Sequence, residues 1–159
     1  IATGGFNTGA LSDLQLTTTE SAPSATTSIQ LAANLPATAS LPGTPVFDPT
    51  DPTSYNNATS LTVYDSLGAA HTGTLYFVKD NVANQWSTRL YVDGTAVGGA
   101  QTITYTPTGA LATPATGDLA FPAYTPATGA APITLTVNVS KTTQYLPCGA
   151  PSSVRFTIR

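Results

Sequence analysis

The sequence predicts an all-β protein: a main antiparallel β-barrel or β-sandwich domain together with a partial second β-rich domain. Three observations predict it. Apolar and polar residues alternate in five separate runs from residue 59 onward, clusters of Gly, Pro, Asn and Asp separate those runs, and no segment carries a helical apolar stripe longer than about two turns. Period-two alternation places successive side chains on opposite faces of a strand, so one face can be buried while the other meets water.

Residues 1–45 contain Gly4, Gly5, Gly9, Pro23, Pro36, Pro42 and Pro45 around two short apolar runs, LSDLQL and TTSIQLAANL. In TTSIQL, Ile29 and Leu31 alternate with Ser28 and Gln30, which is the period of a half-buried strand. Two such strands cannot bury a face by themselves. This segment is therefore expected to pack on the following domain or to complete a sheet with other sequence. Residues 46–58, VFDPTDPTSYNNA, hold two Asp-Pro steps and an Asn pair, and a proline drives its predecessor out of helical geometry. A linker or formed turn is expected there.

Strands are then expected at TSLTVYD (59–65), GTLYFVK (73–79), WSTRLYV (86–92), QTITYT (101–106) and ITLTVNVS (133–140). The last alternates throughout, with Ile133, Leu135, Val137 and Val139 on one face and Thr134, Thr136, Asn138 and Ser140 on the other. Turns are expected at Ser66-Leu67-Gly68, Asp80-Asn81, Asp93-Gly94 and Gly98-Gly99. Residues 107–132 read as a long surface excursion with one short strand, anchored by Leu119, Phe121 and Tyr124. The boundaries that result are 1–45, 46–145 and a return segment, 146–159.

Composition narrows the function. Charged residues are 8% of the chain, against about 25% in an average soluble domain. Five basic residues, Lys79, Arg89, Lys141, Arg155 and Arg159, in a chain of formal charge −3 form no stripe that could neutralise phosphates, so nucleic acid is not an expected partner. No apolar run reaches the roughly 18 residues of a membrane-spanning helix, and no membrane partner is expected. The chain begins at Ile1 without the charged and apolar regions of a signal peptide, which predicts a processed or truncated start. One cysteine, Cys148, excludes an internal disulfide framework and a cysteine-based metal site. Polarity carried by hydroxyls and amides suits an exposed or secreted protein.

Few residues invite chemistry. His71, the single histidine, follows Asp65 by six positions and could act as a general base with Asp65 as its orienter. No second histidine or G-x-S-x-G elbow accompanies it, so the expectation is a hairpin residue, with Asp65 capping the turn. Asp48 and Asp51 in DPTD could offer oxygens to a hard cation, but Asp before Pro forms Asx turns and the EF-hand spacing is absent. Trp86, Tyr64, Tyr76, Phe77, Tyr91 and Tyr105 could form a sugar-binding platform; lying within strand runs, they are expected to serve core packing and cross-strand pairs. The sequons at Asn57 and Asn138 are expected by chance in so Thr- and Ser-rich a chain. No catalytic, cofactor-binding or metal-binding residue is expected, and the chain is not expected to be an enzyme.

The run FDPTDPTSYNNATSLTVYDSLGAAHTGTLYFVKDNVANQW (47–86) closely resembles the outer domain of bacterial flagellar hook proteins. In that family a phrase like F-x-P-x-D-P-x-S-Y-N precedes a T-V-Y-D-S-x-G-x-x-H hairpin, then Y-F-V-K and a tryptophan. The resemblance continues through Asp93-Gly94 to Thr142-Thr143-Gln144-Tyr145, while residues 11–37 resemble the stretch where the inner domain hands the chain to the outer one. After Tyr145 the family goes to glycine, whereas here Leu146-Pro147-Cys148 intervene. The helical termini of hook proteins have no counterpart, so the resemblance implies a middle fragment, monomeric when alone.

What the resemblance implies is structural. Hook subunits polymerise into a curved tube outside the cell, a universal joint between motor and filament, and are exported by the flagellar type III apparatus without a cleaved signal peptide. Implied partners are further copies of the subunit and the hook-cap, rod and hook-filament junction proteins. The resemblance also supplies a motive for the composition: faces of Thr, Ser, Ala and Asn offer weak, water-exchangeable contacts suited to subunits that slide. The alternative function from another class is a secreted β-sandwich binding module of carbohydrate-binding or adhesin type.

Overall fold

A computed structural model describes residues 23–145 and 154–158. In chain order its strands are β1 (Ser28–Pro36), β2 (Asn57–Tyr64), β3 (Ala70–Lys79), β4 (Gln85–Val92), β5 (Thr95–Ala96), β6 (Gln101–Tyr105), β7 (Leu111–Thr113), β8 (Asp118–Ala120), β9 (Thr136–Asn138), β10 (Thr143–Tyr145) and β11 (Val154–Ile158). Among the described residues there is no helix, and the protein is all-β as its alternation predicts.

Two sheets result. The larger is an antiparallel succession in the order β2-β3-β4-β6-β7, with β5 folded back on β4. Its apolar face follows from register: Leu75 lies opposite Leu90, Phe77 opposite Thr88, and Trp86 opposite Ile103. All of these side chains are buried. The turn between β4 and β5 is the two-residue Asp93-Gly94, both with positive φ (49° and 76°), the backbone a tight hairpin of this kind demands.

The second sheet runs β10-β1-β9-β8, with β11 also paired to β1. Here β1 pairs in parallel with β9 and β10 and antiparallel with β11. Its apolar set, Ile29, Leu31, Ala33 and Leu35, is buried at every second position, so the strand expected from TTSIQL continues to Pro36. Those residues share one core with Val63, Leu75, Phe77, Trp86 and Ile103 of the larger sheet and with Leu135, Val137 and Val139. Burial of each large aliphatic side chain contributes about 1.5–3 kcal/mol, so β1 is a principal source of cohesion.

Several details differ from expectation. Tyr64, expected among the packing aromatics, is exposed, and β5 and β10 form where no strand is expected. The excursion 107–132 holds two short strands, β7 and β8, because the chain reverses at Gly109 and Gly117 and pairs each return with a neighbouring edge. The ITLTVNVS run alternates in burial throughout, yet only residues 136–138 form continuous ladder; Ile133 instead makes an isolated bridge to Tyr124. The LSDLQL run and Cys148 lie outside the described residues.

Candidate functional site

The stretch around His71 is where side chains converge. β2 and β3 are joined by a turn in which Asp65 Oδ1 accepts the N–H groups of Leu67 and Ala69 at 2.8 and 2.9 Å, the capping role expected from a short carboxylate at a turn. The β2–β3 register then sets His71 opposite Val63, on the buried face near the start of β3. Across the other edge, the β3–β4 register brings the Asp93-Gly94 turn alongside Thr72, whose N–H donates to Asp93 Oδ1 at 2.8 Å. One imidazole thus stands between two carboxylates: Nδ1 is 2.6 Å from Asp93 Oδ2, and Nε2 is 3.2 Å from Asp65 Oδ2.

The 121–133 segment closes over this group. Thr128 Oγ1 donates to Asp65 Oδ2 at 2.8 Å, Tyr124 OH donates to Asp93 Oδ2 at 3.3 Å, and the Tyr124 ring meets the imidazole edge-on at 5.9 Å. Ala131 N–H donates to Ser66 Oγ at 3.1 Å. The hydrogen bond to Asp93 raises the His71 pKa above its ordinary 6.5; burial opposes this, and Asp65 adds to it. Asp93 is lowered by the same bond and by the Thr72 N–H. Burial would push Asp65 up, but donors from Thr128, Ala69, His71 and Leu67 prevail and bring it down to about 2.

This arrangement is poorly suited to proton-transfer catalysis. A triad leaves one imidazole nitrogen facing a nucleophile while a carboxylate holds the other. Here carboxylates face both. Asp93, Tyr124 and Thr128 were not visible as neighbours of His71 in the sequence. For Asp93 a signal existed, since pairing GTLYFVK with WSTRLYV antiparallel sets the Asp-Gly turn beside residue 72. Thr128 and Tyr124 arrive from an irregular segment that no periodicity locates.

Asp48 and Asp51 each close an Asx turn. Thr50 donates through N–H and hydroxyl to Asp48 Oδ1 (2.8 and 2.7 Å), and Thr53 does the same to Asp51 Oδ1 (2.8 and 2.7 Å). Thr44 Oγ1 donates to Asp51 Oδ2 at 2.9 Å. These donors hold both carboxyls below their usual range, for Asp48 chiefly the Thr50 N–H and for Asp51 chiefly the Thr53 hydroxyl. Among the described residues no group of three or more His, Cys, Asp or Glu is placed to hold a metal ion.

The aromatic residues divide between the two faces of the larger sheet. Trp86, Phe77 and Tyr105 are in the core, whereas Tyr76 and Tyr91 lie on the outer face beneath Phe47 and Tyr55 from the 46–58 loop. Tyr76 meets Phe47, Tyr55 and Tyr91 edge-on, with ring centroids 4.9–5.5 Å apart, and the Arg89 guanidinium sits 4.8 Å over Phe47. This packing pins the loop to the sheet and presents no flat platform. At the far end of β3, the buried Lys79 Nζ donates to the carbonyls of Asp80, Val82 and Gln85 at 2.8–3.1 Å, holding the β3–β4 turn.

A family model described as the flagellar basal body protein FlaE D2 domain matches residues 34–156. Over 66 residues the chain is 39% identical to the flagellar hook protein FlgE of Salmonella typhimurium strain LT2, and equally to that of Salmonella typhi; each alignment covers 42% of this chain. The chain spans 16% of the length of those relatives. A solved 32 kDa fragment of the flagellar hook protein FlgE from Caulobacter crescentus matches in fold with a TM-score of 0.53 at 16% identity, covering 66% of this chain and 46% of that one.

Proposed function

The chain belongs to the family of the flagellar basal body protein FlaE D2 domain, and from that membership we propose that it is the outer, surface-facing part of a flagellar hook subunit. The observation that carries the proposal is the family match across residues 34–156, joined to an all-β fold like that of the solved hook fragment. In this proposal the chain has no catalytic, cofactor or metal site, and its work is mechanical. Subunits polymerise with copies of themselves into a curved tube outside the cell, and hook-cap, rod and hook-filament junction proteins meet the polymer.

Residues 1–45 then serve as a crossing segment, 46–145 as the outer domain and 146–159 as the return toward an inner domain. Supporting this path, β1 and β11 lie side by side and antiparallel, as an entering and a leaving strand would. The polar loops 48–57 and 107–132 are assigned the contacts that shift as the tube bends and rotates, because hydroxyl-rich surfaces exchange partners with water at little cost.

Gold-coupled antibodies raised against the 159-residue chain should label the short curved segment between cell body and filament. Label on the filament, or on no appendage, sinks the proposal. Charged, bulky replacements at the exposed Thr50 and Pro52 should alter hook curvature while leaving the chain's cooperative melting intact.

A further inference from the structure

We propose that His71 is a proton-operated clasp: protonated on both ring nitrogens, it fastens the 124–131 segment across the tips of the β2–β3 and β4–β5 hairpins, and losing one proton loosens that segment.

Two carboxylate oxygens are each shared between the imidazole and the overlying segment. Asp65 Oδ2 faces His71 Nε2 and also accepts from Thr128. Asp93 Oδ2 faces His71 Nδ1 and also accepts from Tyr124. Each oxygen that holds the imidazole therefore also holds a residue of the overlying segment. A carboxylate only accepts, and a neutral imidazole has one N–H. Both contacts can be hydrogen bonds only when the ring carries two protons. In the neutral ring one carboxylate faces a nitrogen lone pair, and two negative charges are left without the cation between them.

The spacing indicates which contact fails. The Nδ1 contact to Asp93 is short, 2.6 Å, while the Nε2 contact to Asp65 is 3.2 Å. Neutral His71 keeps its proton toward Asp93, and Asp65 turns its Oδ2 away from the lone pair. That movement withdraws the acceptor used by Thr128, and the next anchor, Ala131 N–H on Ser66 Oγ, belongs to the same turn. Among the described residues, the titratable groups facing His71 from the packed elements are Asp65, Asp93 and Tyr124. Tyr124 is raised above its ordinary 10.0, so it remains a donor throughout the range in which the imidazole titrates.

His71 is the only histidine, so its ring resonances are unambiguous. The test is an NMR titration of the labelled 159-residue chain, with hydrogen exchange of the Ala131 amide followed across the same pH range. The expected result is an imidazole midpoint above 6.5, with an Ala131 protection factor that falls as the ring deprotonates, by at most about tenfold for each unit by which the midpoint is raised, because the Asp93 contact outlasts the opening of the segment. Asp93→Asn should lower the midpoint. Thr128→Val should shrink the step in Ala131 protection while the ring still titrates. A midpoint at or below the ordinary value, or Ala131 protection that stays flat through the wild-type titration, overturns the proposal. So does an undiminished step in Thr128→Val.

Discussion

Gly109 and Gln144 join the two sheets backbone to backbone. Gln144 N–H donates to the Gly109 carbonyl at 2.9 Å, and a Cβ built on Gly109 would lie 2.0 Å from the Gln144 carbonyl oxygen. Gly109 also has φ of +84°, a region in which a side chain costs about 1–2 kcal/mol. Gly109→Ala should therefore lower stability by about 2–4 kcal/mol, read by thermal or urea unfolding. Gly94→Ala is the control: its φ is +76° but nothing lies within 4 Å of the added carbon, so its loss should stay near the conformational cost of about 1–2 kcal/mol. Equal losses for the two would show that the close approach at Gly109 is not what the protein feels.

The cohesion of the fold depends on β1. A chain reduced to residues 46–145 lacks Ile29, Leu31, Ala33 and Leu35 from the shared core and leaves β9 and β10 without the strand between them. At about 1.5–3 kcal/mol for each of the three large side chains, the loss is comparable to the whole stability of an ordinary domain. The reduced chain should melt without a cooperative transition and bind a hydrophobic dye. A sharp transition near that of the 159-residue chain would mean that the larger sheet and residues 106–145 are self-sufficient.

What the sequence made legible follows from the range of the interactions involved. Strands β2, β3, β4 and β6 could be read because each carries its own alternation and each turn its own chemistry, both encoded within ten residues. β1 was visible as a strand, but its neighbours were not: parallel pairing with β9 and β10 joins positions about a hundred residues apart, and no local pattern specifies it. The His71 group shows the same division. Asp65 and its turn were foreseen because the capping bonds are local, whereas Thr128 reaches Asp65 across 63 residues.

Stability should depend on pH with a maximum between two limits. Asp65 titrates at about 2 when folded against an ordinary 3.8, and Asp48, Asp51 and Asp93 are lowered as well. Groups depressed by folding stabilise above their unfolded values, and that contribution is lost as pH falls from about 4 toward 2. His71 is raised, so its contribution is complete below 6.5 and fades as pH climbs through the folded value. Melting temperature should therefore peak between about pH 4 and about 6.5 and decline on both sides. In His71→Gln the alkaline decline should flatten and the acid decline persist. An alkaline limb unchanged in that variant would assign it to another group.

The 46–58 loop offers a separate test, because it contains two acidic turns and a buried hydroxyl that act at different levels. Ser54 is 1% exposed; its Oγ accepts the Asp48 N–H at 3.0 Å and lies 2.7 and 2.8 Å from the Asp48 and Asp51 carbonyls. Ser54→Ala leaves the Asp48 N–H without that partner inside the turn, a loss of about 1–3 kcal/mol. Because the turn seats Phe47 and Tyr55 on Tyr76, the tyrosine signals in near-ultraviolet circular dichroism should weaken too. Asp48 Oδ1 and both Asp51 oxygens already accept from Thr50, Thr53 and Thr44, so calcium at millimolar concentration should leave the melting temperature unmoved. If calcium raised it, and Asp51→Asn abolished the rise, these carboxylates would be cation ligands and the hydroxyl contacts their resting arrangement.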